Sequence, residues 1–457
     1  MSTMQPLVVP AADVPKEPEV LTRQLWKKPE SIIIYQCAQN DFMGCLPPGT
    51  SPKTLVHIGY SEAERLCGPS GSLIEFVEAS LKTDPDKVTV VVINDQHDLV
   101  RDKAHLDRYG MHGVRGTKGA EFVGGLGPKL ESRPNSLSIE GADLNDCHSS
   151  QLPHILKNLL EGRDLKGVKV AVVGTWTDFK VAFLIRDLIT EFGADQVATC
   201  SSLTASNSIQ RHFAGLQQLE QLGVKVFNSH VSLLQWLDPA VDLSLPDAQF
   251  DNFEFDEPGR CAGIFSEEQL KERDILIGLS LETLGDEKFV LSSLGGGFSG
   301  SQVFLAKGET RNVVVKVGNR DETAREKFGN ERIAQSIRGY APKILEYREG
   351  ARFSVMIQEL AKPDSATVEG PMSFQKVAQK DDITSDDAKL LGEALDKIFR
   401  QAFLGPLTNY SVATSDLFRD YGFVDFSGQP QFVKSVIRGA SMLARRNGFT
   451  SPKALFD

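Results

Sequence analysis

Gly295-Gly296-Gly297-Phe298-Ser299-Gly300 satisfies G-x-G-x-x-G, a spacing that lets the backbone approach phosphate oxygens with no side chains in the way. The loop joins two strand-like runs, FVLSSL and SQVFLAKG, and not a strand to a helix, so it differs from a dinucleotide-binding turn. Lys316 follows on the next apolar run, NVVVKVG. Fifteen residues later, Glu331 falls on a helical pattern that shares one face with Ala324, Phe328 and Ala334. Thr323 and Glu326 have the spacing of a capping box opening that helix. The six cysteines (Cys37, Cys45, Cys67, Cys147, Cys200 and Cys261) are scattered and form no C-x-x-C pair. They suggest neither a disulfide framework nor a zinc or redox pair, and a reducing, cytoplasmic setting is expected.

These residues need elements to hold them. The 457 residues correspond to two or three domains at roughly 150 residues each. With 41% apolar and 24% charged residues the composition is that of a soluble globular chain, and the net charge of −11 argues against nucleic acid or an anionic membrane as the main partner. No stretch has the length and apolarity of a membrane span or an export signal. Residues 1–28 read as a Pro-rich, charged, disordered leader. From Ser31 the runs SIIIYQ, VTVVVIN, VKVAVVG, QVATCS and VKVFNS alternate with helical patterns near Gly71–Leu81, Leu152–Leu160, Asp178–Phe192 and Ser208–Leu222. That alternation predicts a parallel sheet covered on both faces, an α/β domain over 29–240. Residues 241–286 read as an acidic, Pro-containing linker with an amphipathic docking helix near Glu267–Leu284. From 287 to 457 the pattern changes to antiparallel strands, a helix over about Glu322–Arg338, and a mostly helical tail carrying Leu390, Leu391, Leu395, Ile398 and Phe399.

Three segments of the first domain carry a resemblance: AQNDF (Ala38–Phe42), HGVRGTKGAEF (His112–Phe122) and GTWTDFKV (Gly174–Val181). In this order and on these elements they resemble the isochorismatase-like cysteine hydrolases, which include the nicotinamidases, over roughly residues 31–237. The resemblance implies a three-layer parallel-sheet fold. It also implies a catalytic set of an Asp on the first strand, a Lys in the middle and a Cys opening a helix, the Asp and Lys activating the thiolate. Carried over position by position, Cys37 stands for the Asp, Glu140 or Gly141 for the Lys, and Lys180 for the nucleophile. An ammonium cannot act as a thiolate, so no catalytic residue is expected. A Lys180–Glu140 pair would neutralise the pocket, whereas an unpaired Lys180 near helix amides would form an anion site. Trp176 and Asp178 lie on family-like loops of a ligand pocket. The resemblance further implies a divalent metal, zinc or manganese, held by Asp95, His97 and His112.

The second domain is similar, over about Phe289–Leu360, to the small lobe of protein kinases and aminoglycoside-phosphotransferase-like enzymes. By that resemblance Gly295, Gly297, Gly300 and Val303 cover a nucleotide, Lys316 reaches its phosphates and Glu331 pairs with Lys316, with ATP and magnesium as the ligand. The pattern then stops. All eight histidines lie at or before His230, so no H-x-D catalytic loop exists there. Asp425-Phe426-Ser427-Gly428 has no such loop before it and is read as coincidence. The large lobe is therefore incomplete.

The sequence thus predicts a non-catalytic regulatory or ligand-sensing protein with a small-molecule ligand and a protein partner. The alternatives are a hydrolase acting on an amide or pyridine-type compound, and a phosphotransferase whose catalytic lobe is missing. Self-association into a homo-oligomer is implied by the family resemblance only.

Overall fold

The computed structural model describes residues 8–9, 29–47, 50, 52, 54–68, 70–246, 248–256, 265–285, 287–294, 301–336, 342–360, 389 and 392–393. The Gly295–Gly300 loop, the apolar set Leu390, Leu391, Leu395, Ile398 and Phe399, and Asp425–Gly428 lie outside the described residues.

Continuous apolar runs become strands buried on both faces. In β1 (Ser31–Gln36) all six residues are buried, and β2 (Val88–Asp95) and β4 (Lys169–Thr175) are nearly as enclosed. With β3 (Ser136–Gly141), β5 (Gln196–Cys200) and β6 (Lys225–Phe227) they form a parallel sheet in the order β3-β2-β1-β4-β5-β6. Two helical layers cover it. One apolar cluster on one face joins Ile32, Ile34, Val91 and Ile93 to α4 (Leu152–Leu159) and α5 (Ala182–Thr190). The other face packs Ile33, Tyr35, Val90 and Val92 against α2 (Ser72–Ser80) and α7 (His230–Leu237). The expected α/β three-layer architecture is present. One correction concerns the leader: Val8 and Val9 form a two-residue strand on the outer edge of β3, aligned with Ser138 and Ile139. An edge strand offers unpaired amides and carbonyls, and even a short apolar pair can use them.

A second sheet has the order β11-β12-β10-β9-β8-β7, from β7 (Phe253–Phe255), β8 (Phe289–Ser293), β9 (Gln302–Lys307), β10 (Asn312–Asn319), β11 (Ile344–Glu349) and β12 (Phe353–Glu359). All its pairings are antiparallel except β7 with β8. The segment expected to be a linker belongs to this unit. Phe253–Phe255 extends the sheet, and α8 (Glu267–Glu282) buries Leu276, Ile277 and Leu281 in the same core as Phe289, Phe304 and Val315. Its N-terminus carries a capping box, with Ser266 Oγ accepting from Gln269 N and the Gln269 side chain accepting from Ser266 N. Helix α9 (Arg320–Ser336) starts earlier than Thr323, because β10 runs directly into it. Asn319 Oδ1 accepts from the amides of Asp321 and Glu322 in the place of the expected Thr323 cap.

Candidate functional site

The three sequence segments singled out in the first unit meet at the carboxyl ends of β1, β2 and β4. Gln39 bonds both ways to the Asp95 backbone (2.7 and 2.8 Å) and donates to Ala120 O. Asp41 Oδ2 accepts from Gly113 N at 2.9 Å, and Thr175 Oγ1 donates to Cys37 O at 3.1 Å. These side-chain bonds tie the loops after β1 and β2 into one rigid floor.

On that floor lies a closed charge cluster. The chain rises out of β4 through a wide π-type turn, Thr177–Val181, which turns Lys180 inward with only 4% exposure. Lys180 Nζ lies 2.5 Å from Asp95 Oδ1 and 3.5 Å from Asp146 Oδ2, and over the Phe42 ring at 5.9 Å. Gln36 Nε2 donates to Asp146 Oδ2 at 2.5 Å and to Cys37 Sγ at 3.1 Å, and the Cys37 thiol donates to Asp95 Oδ1 at 3.4 Å. Burial opposes the charge on Lys180, but Asp146 and Asp95 overcome it and hold the ammonium well above its ordinary range. Burial likewise works against ionisation of Asp95, yet Lys180 and His97 hold it low. Asp146 is pushed up to about 6 by burial, against the pull of Lys180 and with Asp95 adding repulsion. Burial and then Asp95 push the Cys37 thiol well above its usual value. A thiol so held is protonated at neutral pH and is a poor nucleophile.

The expected partner of Lys180 is corrected. Glu140 forms a two-pronged pair with Arg115, one arm at 2.7 Å, on the other face of β3. Strand alternation decides this: Leu137 and Ile139 face the same layer as Asp95, so Gly141 does too, while Ser138 and Glu140 line a cavity of about 490 Å³ on the opposite face. Gly141, the second candidate for the lysine place, therefore stands at the cluster. A Cβ there would come within 2.2 Å of Asp146 Oδ1, so glycine leaves room for the carboxylate that meets Lys180. Trp176 donates from Nε1 to Val56 O at 2.8 Å and carries the Arg211 guanidinium over its ring at 5.6 Å. Asp178 is held by Arg211 Nε at 2.6 Å and Ser206 Oγ at 2.6 Å. Both flank the cluster without touching Lys180 through these bonds.

Beside the cluster His97, His105 and His112 bring one ring nitrogen each within 4.8 Å of one another. His97 is fully buried, with Nε2 3.8 Å from Asp95 Oδ2 and Nδ1 3.6 Å from Asp102 Oδ2, both too long for a hydrogen bond. A buried imidazole without a close hydrogen-bond partner fits a ligand to a divalent ion, and a set of imidazole nitrogens suits zinc among other transition metals. Burial lowers the pKa values of His105 and His112, leaving them neutral as metal binding requires. Asp95, expected in this set, gives Oδ1 to Lys180 at 2.5 Å, while its Oδ2 lies 3.8 Å from His97 Nε2. His105 was missed, because it lies on the short α3 (Lys103–Tyr109), which has only one buried apolar residue to betray its period. Asp146 and Gln36 were missed as well. The signal for His105 was the spacing of eight and seven residues through His97, His105 and His112.

In the second unit Val303 and Lys316 are cross-strand neighbours on β9 and β10. Lys316 Nζ pairs with Glu326 on the first turns of α9, while Glu331 pairs with Lys327 at 2.8 Å. The glutamate that Lys316 meets is therefore Glu326, where Glu331 was expected.

No protein-family model and no curated protein matches this chain. Among solved structures, the chain is similar to a nicotinamidase from Bacillus subtilis at 19% identity, covering 43% of this chain and 98% of that one with a TM-score of 0.35. It is similar to an isochorismatase-like hydrolase from Alkaliphilus metalliredigens at 23% identity, covering 46% and 99% with a TM-score of 0.35. A pyrazinamidase of Pyrococcus horikoshii in complex with zinc is 18% identical, covering 43% and 98% with a TM-score of 0.32. Among the described residues no helix is long and apolar enough to cross a membrane.

Proposed function

We propose that this protein is a non-catalytic, ligand-sensing protein. In this reading its first unit is an isochorismatase-like domain whose catalytic set has been replaced, and its second is a kinase-like small lobe. The observation that carries the reading is Lys180: the residue at the nucleophile position is a buried ammonium shared by Asp95 and Asp146, and the nearby Cys37 thiol is held protonated. A site of this kind stores charge and presents no group able to attack a carbonyl. The neighbouring histidines would hold a divalent metal, which when bound supplies a Lewis-acidic ligand position. The pairing of Lys316 with a glutamate of α9 supports a nucleotide-phosphate role for the second unit.

The test is a thermal-shift series with zinc, magnesium ATP and nicotinamide. A ligand at 100 times its dissociation constant stabilises by about 2.7 kcal/mol, which is readily seen. Zinc is expected to raise Tm, and magnesium ATP to raise it in the wild type but not in Lys316→Ala. No shift with any of the three would leave the protein without a sensing role at these sites.

A further inference from the structure

We propose that helix α6 (Ile209–Gln221) relays the state of the second unit to the turn that carries Lys180, with α9 as the element that moves it. The inference goes beyond the proposed function by joining its two units, and only its nucleotide arm rests on that reading. Three consecutive residues on the first turn of α6 make the connection. Arg211 Nε donates to Asp178 Oδ2 at 2.6 Å, and its guanidinium lies over the Phe179 ring at 5.1 Å. His212 Nδ1 and Thr177 Oγ1 are 2.8 Å apart. Phe213 meets Phe328 of α9 edge-on at 4.9 Å. One turn further, Gly215 lets the backbone of α6 lie directly on the turn, since a Cβ there would come within 2.8 Å of Asp178 N and Cα.

Helix α9 is anchored at one end and engaged in the middle. At its start Arg320 donates to Gln235 Oε1 at 2.8 Å and Asp321 accepts from Ser232 Oγ, both on α7 of the first unit. Farther along, Glu326 pairs with Lys316 of β10. Phe328 follows two residues later, and Glu331, paired with Lys327 at 2.8 Å, acts electrostatically on Arg65 and His212 of the first unit. With the start of α9 fixed on α7, a change at Lys316 and Glu326 swings Phe328 against Phe213. Close-packed joints pass such a displacement on instead of absorbing it. It reaches Arg211 and His212, which hold Thr177 and Asp178 just ahead of Lys180. By linkage, a change at the Lys180 cluster acts back on Lys316.

The experiment is amide hydrogen exchange of the full chain, read peptide by peptide by mass spectrometry. Glu326→Gln, which loosens α9 from β10, should speed exchange over Thr177–Val181 at least about threefold, a coupling of ordinary size, while the amides of β1 and β2 keep their rates. Added to Phe328→Ala, the same substitution should change Thr177–Val181 no further, because the ring contact is the joint. In a second arm, magnesium ATP should slow exchange over Thr177–Val181 in the wild type and not in Lys316→Ala. No change over Thr177–Val181 in Glu326→Gln, or an equal change throughout the first unit, would overturn the relay. So would ATP that protects β9 and β10 yet leaves Thr177–Val181 unaltered. ATP that protects nothing would overturn the nucleotide reading, and the relay would then stand or fall on Glu326→Gln.

Discussion

Lys180 is a buried ammonium whose two carboxylate partners, Asp95 and Asp146, are equally buried, and the chemistry of the site follows from that trio. Removing the charge leaves two buried carboxylates facing each other. Lys180→Met should therefore destabilise the fold by about 3–5 kcal/mol, measured by denaturant unfolding, as for other broken buried pairs. A loss below about 1 kcal/mol would mean that the pair is solvated in solution. His212 offers a pH signature away from the site. It is buried against Thr177 Oγ1 at 2.8 Å, and burial, with the Arg65 guanidinium adding, pushes its pKa from 6.5 down to about 3. The unfolded chain binds this proton first, so the stabilisation is complete above pH 6.5 and is lost as pH falls toward 3. His212→Gln should flatten that acid limb by a few kcal/mol, at about 1.4 kcal/mol per pKa unit, when unfolding is followed from pH 7 to 4. At this scale the sequence made Lys180 conspicuous. It did not reveal Asp146, whose role depends on a glycine opposite it.

The strands and helices decide which of two adjacent residues faces the site. Glu140 and Gly141 were indistinguishable by position along the chain, and only the pleat of β3 sends one to Arg115 and the other to Asp146. Gly141→Ala should accordingly displace the Asp146 carboxylate and cost about 1–3 kcal/mol in chemical denaturation. Glu140→Gln, which loses only a pair with half-exposed Arg115, should cost less than Gly141→Ala. The reverse order would contradict the register. The runs of β1, β2, β4 and β5 were legible as strands because they are largely buried on both faces, and the short run of β6 because it stays apolar at Val226 and Phe227 though it is only half-buried at the sheet's end. Strand β3 escaped because Ser136, Ser138 and Glu140 interrupt the continuous apolar run that marks the other strands, and α3 because seven residues are too few to show a helical period.

At the scale of the molecule the two units meet through polar groups as well as rings. Glu349 at the end of β11 is buried and accepts from Ser229 Oγ and from Val231 N at 3.1 Å, at the start of α7 in the first unit. Arg348 pairs with Glu75 at 3.3 Å, and Phe213 meets Phe328 edge-on at 4.9 Å. Glu349→Ala would strand the buried donors Ser229 and Val231, at about 1–3 kcal/mol, and should split one calorimetric unfolding transition into two. A single unchanged transition would show that these contacts do not couple the units. The change from parallel to antiparallel texture was readable in the sequence. The contribution of 253–282 to the second unit was not, because its short strand and its helix acquire their meaning only against β8 and the core around Phe289.

Under the proposed reading, Lys180 and a protonated Cys37 leave no group in this site to attack an amide carbonyl. The most direct measurement is ammonia release from nicotinamide by the purified, metal-loaded chain, run beside Cys37→Ala. The account predicts no release above the protein-free rate in either. Turnover in the wild type that Cys37→Ala abolishes would contradict it and make Cys37 a working nucleophile.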